Sequence, residues 1–476
     1  LQTRACIEEF TIHERPLDVV EKLLRHRPRI IGFSVYIWNV AQVGQVVAAL
    51  REVSPQTILV LGGPEVSHAP DLPAVAERVD YIVQGAGEVR FRELCEHVLS
   101  AGSGPETGPH GKIITGEETP LEQLALPYRY YTDEDIRNRL IYVEASRGCP
   151  FKCEFCLSSL DKTARPFALT AFLDEMEVLI QRGARNFKFI DRTFNLKVST
   201  SVTILAFFLE RMTEDMYLHF EVVPDNLPAK LKTMLTQFPA HSLQFEVGVQ
   251  TFDPVIQQRI SRRQDNRKTA DNLRWLREHT RAYIHADLIF GLPGDTLENF
   301  AKSFDQLVAL RPHEIQLGIL KRLRGAPLNR HNEDWRLRYN PEPPYNILST
   351  RDISFSEMQR VSRFARFWDM VANSGRFRRS LGLMTGEAPF ENFLALSDAL
   401  YRQAGSTWKI SLRRLFALLY DYLVQVGVHE KETIVDALAE DYRRSGEKGE
   451  FDRLVRQQKK AAGTGAANKR QKQMLL

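Results

Sequence analysis

Three of the chain's five cysteines fall within eight positions, in the run Arg147-Gly148-Cys149-Pro150-Phe151-Lys152-Cys153-Glu154-Phe155-Cys156. Thiolates at this C-x3-C-x2-C spacing can hold three corners of a 4Fe-4S cube and leave its fourth iron open to an external ligand. A structural zinc ion would want four protein ligands. No further Cys or His stands nearby in sequence, so His219 or His285 could complete such a set only through folding. Three buried free thiols are the remaining reading, which Gly148, Pro150 and Lys152 oppose by marking an exposed loop. Clustering of the cysteines argues against a disulfide framework and for a reducing, cytoplasmic setting. Cys6, in an expected strand at 6–12, and Cys95, in an expected helix, read as small buried side chains.

The elements that must hold this loop come in two alternating arrays. Strands are expected at 30–35, 57–61 and 81–83, with helical periodicity at 17–24, 41–50 and 90–99. The pattern is that of an α/β domain, a doubly wound parallel sheet over residues 1–101. Because the chain opens on Leu1 and a segment that already reads as a strand, this sheet is expected to lack a first strand lying upstream. Gly, Pro, Ser and Thr dominate the start of a linker at 102–137. A second array at 138–327 has strands expected at 141–145, 187–190, 218–222, 243–247, 284–289 and 315–320, which makes a partial (β/α)6 barrel with its functional face at the loops after the strands. Helices are expected at 357–371, 390–403 and 412–426 in a mostly helical region, 328–450. Residues 451–476 carry seven Lys or Arg against one acid, a net +6 out of the chain's +4, so the rest of the chain is at −2. This basic tail reads as a disordered, solvated terminus rather than a nucleic-acid contact. No apolar stretch approaches the length of a membrane span.

The cysteine run, with an aromatic residue immediately before its third cysteine, resembles the defining motif of the radical S-adenosylmethionine (SAM) superfamily. The resemblance implies that Cys149, Cys153 and Cys156 bind a 4Fe-4S cluster. Its open iron would chelate SAM, and an electron from the cluster would cleave SAM to a 5′-deoxyadenosyl radical. It also implies SAM contacts from Phe155, from Asp191 at the end of the second strand by its side chain or through its turn, from Glu246 and Gln250 in the fourth, and from Gly291 and Gly294 in the loop after the fifth. Asp191 has a rival reading as a helix cap, and Glu246 one as half of a structural salt bridge. Glu221, Asp225, Lys321 and Arg324 are substrate-side candidates near the same strand ends.

In the first array, Ser34 ends one strand and Gly62-Gly63 the next, followed by Gly85, Gly87 and Glu88. This spacing is similar to that of cobalamin-binding domains, and Ser34, Tyr36, Gly62, Gly63, Gly85, Gly87 and Glu88 are the cobalamin candidates. The Asp-x-His-x-x-Gly run that supplies a histidine to cobalt is not found in the chain, so base-off binding without a protein histidine is expected. Phrases such as Tyr36-Ile37-Trp38-Asn39 resemble a bacterial subgroup of these enzymes with a C-terminal domain of unknown function. The resemblance implies a methyltransferase acting at an unactivated centre of a substrate that is a small molecule or of a class the sequence does not name, with cobalamin as methyl carrier and a flavodoxin or ferredoxin as electron donor. Radical oxidation, cyclisation or rearrangement without methyl transfer is the first alternative, and a non-catalytic iron-sulfur protein the second.

Overall fold

The fold was obtained as a computed structural model, which describes residues 5–101, 111–449 and 451. The basic tail, apart from Phe451, and the first part of the linker lie outside the described residues. The first sheet contains β1 (Ile30–Ser34), β2 (Ile58–Gly62), β3 (Tyr81–Gln84) and β4 (Ile113–Thr115), all parallel and adjacent in chain order. β2 reads Ile-Leu-Val-Leu and is buried on both faces, as a strand between two helical layers must be. The helices Pro16–Arg25 and Val40–Val53 cover one face, through Val19, Val20, Val43 and Val47. The helix Glu88–Ala101 covers the other, through Leu94 and Val98.

Two expectations change here. Residues 6–12 form no strand. Glu8 pairs with His26 and Glu9 with Arg139, so the segment lies along the surface on ion pairs and Cys6 is exposed. The other departure is β4, which falls inside the stretch read as linker. Two isoleucines after a glycine-rich run are too short a signal to read as a strand, yet Ile114 is buried against β3. Cys95 is half-buried, and burial pushes its thiol up to about 11.

The second sheet is the open barrel. In chain order its neighbourhood contains β5 (Ile141–Val143), the short pair β6 (Ser146–Arg147) and β7 (Arg165–Pro166), then β8 (Asn186–Phe189), β9 (Tyr217–Val222), β10 (Leu243–Gln250), β11 (Tyr283–Phe290) and β12 (Glu314–Ile319). The six parallel strands lie in the order β12-β11-β10-β9-β8-β5. Residues of β10 and β11 alternate strictly between buried and half-buried. One face therefore packs under the helices, and the other lines a polar lumen carrying Glu246, His285 and Asp287.

The C-terminal region contains a two-stranded hairpin, β13 (Arg338–Tyr339) and β14 (Ile347–Ser349), followed by helices. The helix Phe355–Trp368 is started by a capping box, Ser354 with Glu357, and runs into a π-helical turn at Asp369–Asn373. The Asn373 amide accepts from Ile315 N and donates to Ile315 O, both at 3.1 Å. The open edge of β12 is thus covered by this region. Phe304, Phe364, Trp368, Phe390 and Phe393 interlock the helices with the barrel. Among the described residues, no helix is long and apolar enough to cross a membrane.

Candidate functional site

The cysteine loop leaves the carboxyl end of β5 and is closed at its base by the β6–β7 pair, Ser146 opposite Pro166 and Arg147 opposite Arg165. Gly148 has φ +94°, and a Cβ there would run into the Thr163 carbonyl and the Asp161 side chain, so this position needs glycine. Cys149 N donates to Asp161 O at 3.2 Å and Cys156 N to Cys153 O at 3.1 Å. All three cysteines, with Phe151 and Phe155, line an open cavity of about 970 Å³ at the strand ends. Burial pushes the Cys153 thiol up, and the Arg262 guanidinium, whose Nη1 lies 3.5 Å from its sulfur, opposes the shift. His219 lies beside Glu246, and His285 between Asp287 and Glu314, and neither lines the cavity with the three cysteines, so neither is placed as a fourth zinc ligand.

Of the other expected residues, Glu221, Asp225, Glu246 and Gln250 line the same cavity. Glu246 is the salt-bridge partner its rival reading foresaw. Its Oε2 lies 3.2 Å from both Lys188 Nζ and His219 Nε2, the latter off the hydrogen-bond direction. The contact with His219, reinforced by Lys188, brings the carboxyl down to about 2. Gln250 follows a bulge in β10, at φ +69°, and its Oε1 is buried with no partner. Its side chain lines the cavity, and a buried acceptor without a partner is one that a ligand donor such as a hydroxyl would satisfy.

Asp191 is placed differently. It is 2% exposed, accepts from Ala145 N at 2.9 Å and Ser146 Oγ at 2.6 Å, and lies outside the cavity lining. Its side chain therefore fastens the start of the cysteine loop, and Lys197 rather than Asp191 sits at the start of the following helix. Gly291 and Gly294 are also outside the lining. Both have positive φ, and their missing Cβ atoms leave room for Ile347 and Met358 to pack on the first, and Arg259 and Trp335 on the second. Lys321 is exposed and forms an isolated bridge with Asn346, away from the cavity.

Four residues of the site were not among the sequence candidates. Arg192 donates to Glu221 at 3.0 Å inside the cavity, and Arg262 is anchored by the Gly248 carbonyl and Gln264. Asp287 lines the cavity with His285 Nε2 3.1 Å from its Oδ1. Glu154 is buried behind the loop. The inward register of β10 and β11 contained the signal for Asp287. Arg192, next to Asp191, could have been weighed with it.

A groove of about 740 Å³ opens at the carboxyl ends of β1, β2 and β3, lined by Ser34, Gly62, Gly63, Gly85, Gly87 and Glu88. Gly63 has φ +102°, and its missing side chain leaves a cradle that a Cβ could not share with the Val35 backbone. Tyr36 does not line it, but stacks on Trp38 with ring centroids 4.4 Å apart. Ion pairs join groove and cavity. Arg147, two residues before Cys149, donates to Glu88 at 2.7 Å and to Glu144 at 3.0 Å. Arg324 is buried and reaches across to Glu65 at 2.8 Å and to Asp71. Arg324 thus pairs with the first domain and does not line the cavity.

Comparison with known proteins matches three family models, the B12 binding domain at residues 7–95, the radical SAM superfamily at 143–307 and the protein of unknown function DUF4080 at 333–475. An uncharacterized methyltransferase of Pyrococcus horikoshii is 24% identical over 316 residues, 60% of this chain and 67% of that protein. The cobalamin-dependent radical SAM methyltransferase TokK of Streptomyces tokunonensis is 26% identical over 355 residues, 67% of this chain and 51% of that one, so the chain spans about half of TokK. Among solved structures, the methyltransferase TsrM from Kitasatospora setae, with tryptophan and a SAM analog bound, aligns at TM-score 0.55 and 19% identity over 67% of each chain. The cobalamin-dependent SAM radical enzyme OxsB, with aqua-cobalamin and SAM bound, aligns at 0.58 and 14% over 96% of this chain and 76% of that one. Both share the fold.

Proposed function

For a chain that belongs to the cobalamin-binding radical SAM enzymes, in the group with a DUF4080 region, we propose methyl transfer to a small-molecule substrate at an unactivated centre. The observation that carries the reading is that three cysteine thiols open on one cavity at the strand ends, together with the unpartnered Gln250 oxygen. Cys149, Cys153 and Cys156 would hold the 4Fe-4S cluster. When bound, the cluster and SAM supply a 5′-deoxyadenosyl radical, and cobalamin supplies a transferable methyl group.

The chain's own residues bind and orient. Gln250 Oε1 accepts from a SAM hydroxyl, Arg262 supports the Cys153 sulfur, and Phe155 shields the cavity. Gly62 and Gly63 leave backbone open to the cobalamin tail. Glu221 with Arg192, and Asp225, face the substrate side. The Arg147–Glu88 and Arg324–Glu65 pairs keep groove and cavity in fixed relation, which is how a protein supplies proximity to cofactors that do the hard chemistry. A reducing, cytoplasmic setting, which five free thiols suit, is part of the proposal, as is a flavodoxin- or ferredoxin-type electron donor, which reduction of the cluster would need.

The test is anaerobic reconstitution followed by product analysis. Each product should consume two SAM molecules, so 5′-deoxyadenosine and S-adenosylhomocysteine rise together, and Cys153→Ala should lose both the cluster and deoxyadenosine formation. Deoxyadenosine in step with product and no S-adenosylhomocysteine would move the reading to radical chemistry without methyl transfer.

A further inference from the structure

We infer that Glu154 is a positioning residue that holds the cysteine loop in its metal-binding shape by tying it to the segment leading into the C-terminal region. The inference rests on the proposed role of the three cysteines as cluster ligands. Glu154 stands between Cys153 and Cys156 and is 5% exposed. Its Oε1 accepts from Ser261 Oγ at 2.6 Å and Arg330 Nη2 at 2.7 Å, and its Oε2 from Arg330 Nε and His331 Nε2, both at 2.9 Å. The backbone of the same residue is held as well. Its N–H donates to Ile260 O at 3.0 Å, and its carbonyl accepts from Leu328 N at 2.9 Å.

Glu154 is therefore fastened by two segments distant in sequence. One is the turn after the helix Pro254–Arg259, and the other is the 3-10 turn Pro327–His331. A carboxylate between two thiolates adds negative charge where three thiolates and a cluster already concentrate it. It is tolerable there because the Arg330 guanidinium offsets that charge, and the bonds with Ser261 and His331 fix where the carboxylate sits. Cys153 and Cys156 stand one and two residues away, so the direction in which their sulfurs face the cavity is set by where Glu154 is held. Groups that orient metal ligands in this way typically change metal affinity 10- to 100-fold when removed. The Arg330 side chain is 63% exposed but Glu154 is buried, so loss of Arg330 leaves the carboxylate with Ser261 and His331 alone and costs stability as well as loop geometry. Iron release and unfolding of the iron-free protein are therefore measured side by side.

The experiment uses the anaerobically reconstituted full chain and follows iron release to a ferrous chelator, alongside thermal unfolding of the iron-free protein. Glu154→Gln keeps the side chain's size but puts an amide N–H where an oxygen accepts from the Arg330 fork, and should release iron 10- to 100-fold faster than the parent. Arg330→Gln should shift the rate in the same direction, with any fall in the melting midpoint read separately on the iron-free protein. The double variant should release iron no faster than Glu154→Gln alone, because both changes break one network. Release from Glu154→Gln at the parental rate, or additive effects in the double variant, would overturn the inference. If Glu154→Gln does not fold, Arg330→Gln decides, and a parental release rate overturns it. A parent that takes up no iron at all would instead sink the cluster assignment beneath it.

Discussion

Gly62 and Gly63 are neighbours on the groove wall, yet their replacement should fail in different ways. Gly63 sits at φ +102°, ψ 172°, a region that side chains essentially avoid. A Cβ there would lie 2.6 Å from Val35 O and 2.9 Å from Val35 N. Val35 cannot withdraw, because its N–H is bonded to Gly62 O at 2.8 Å, its carbonyl accepts from Glu65 N, and its side chain is fully buried. Strain alone costs about 1–3 kcal/mol, and the backbone clash puts Gly63→Ala at or above the top of that range. At about 4–8 °C per kcal/mol for a domain of this size, the first domain should melt more than about 10 °C lower. Gly62 has no such constraint, since the nearest atom to its Cβ would be Val83 O at 3.8 Å. Gly62→Ala should stay within about 0.5 kcal/mol. Gly62→Val, which places a branched side chain on the groove wall, should weaken cobalamin binding by about 1–3 kcal/mol of overpacking, or roughly 5- to 150-fold. Thermal melting and absorbance titration with hydroxocobalamin read the two effects separately. Undiminished cobalamin affinity in Gly62→Val would show that the groove is not the cobalamin site, and an unshifted midpoint in Gly63→Ala would refute the strain argument.

Arg324→Met leaves Glu65, 3% exposed, without its cation, at a cost of about 3–5 kcal/mol. Denaturant unfolding and protease sensitivity between the first two domains should both register it, and a variant as stable as the parent would refute the pairing. Glu246 is held at about 2 in the fold, chiefly by His219, against an ordinary value of 4.5. Its pairing therefore stabilises fully above about pH 4.5 and is lost as pH falls towards 2. Glu246→Gln should lack that part of the acid-unfolding curve, and parallel curves for variant and parent in this window would count against the pairing. Burial raises Asp295 to about 7, with its Oδ2 unpartnered. Here the sign is opposite, and stability should decline as pH rises from about 4 to 7. Asp295→Asn should flatten this decline and be the more stable form at pH 8, unless the bond from Thr296 N to the carboxylate outweighs the cost of burying its charge.

What was legible in the sequence was whatever sits at fixed spacing on one element. The cysteine loop, the Gly62-Gly63 turn, the strand order of the barrel and the inward Glu246 and Gln250 all follow from local pattern, because the side-chain period of a strand decides which residues share a face. The candidates that lie outside the cavity and groove linings share a setting. Asp191, Lys321, Arg324 and Tyr36 stand at the strand ends where ligands bind, but strand ends are also where loops must be fastened. Whether a polar side chain there meets a ligand or a backbone amide depends on partners elsewhere in the chain. Asp191 meets Ala145 and Ser146, 46 and 45 residues away, and Arg324 meets Glu65 across 259 residues. Glu154 escaped notice because its partners at 261, 330 and 331 come from segments without a motif.

These misplaced charges reveal how the two halves of the site are kept opposite each other. Glu88, which reads from sequence as a cobalamin contact, is bonded to Arg147 at the root of the cysteine loop, while Arg324 is buried against the turn that follows Gly62-Gly63. Each glycine-lined turn of the groove is thus tied to a loop of the barrel by an arginine. The second pair is nearly solvent-free and carries further bonds to Asp71 and Tyr345. Breaking it on each turnover would strand a buried carboxylate, which makes a swinging first domain expensive. The geometry favours a first domain that stays docked, with substrate and SAM entering through the open cavity at the strand ends rather than through separation of the two sheets.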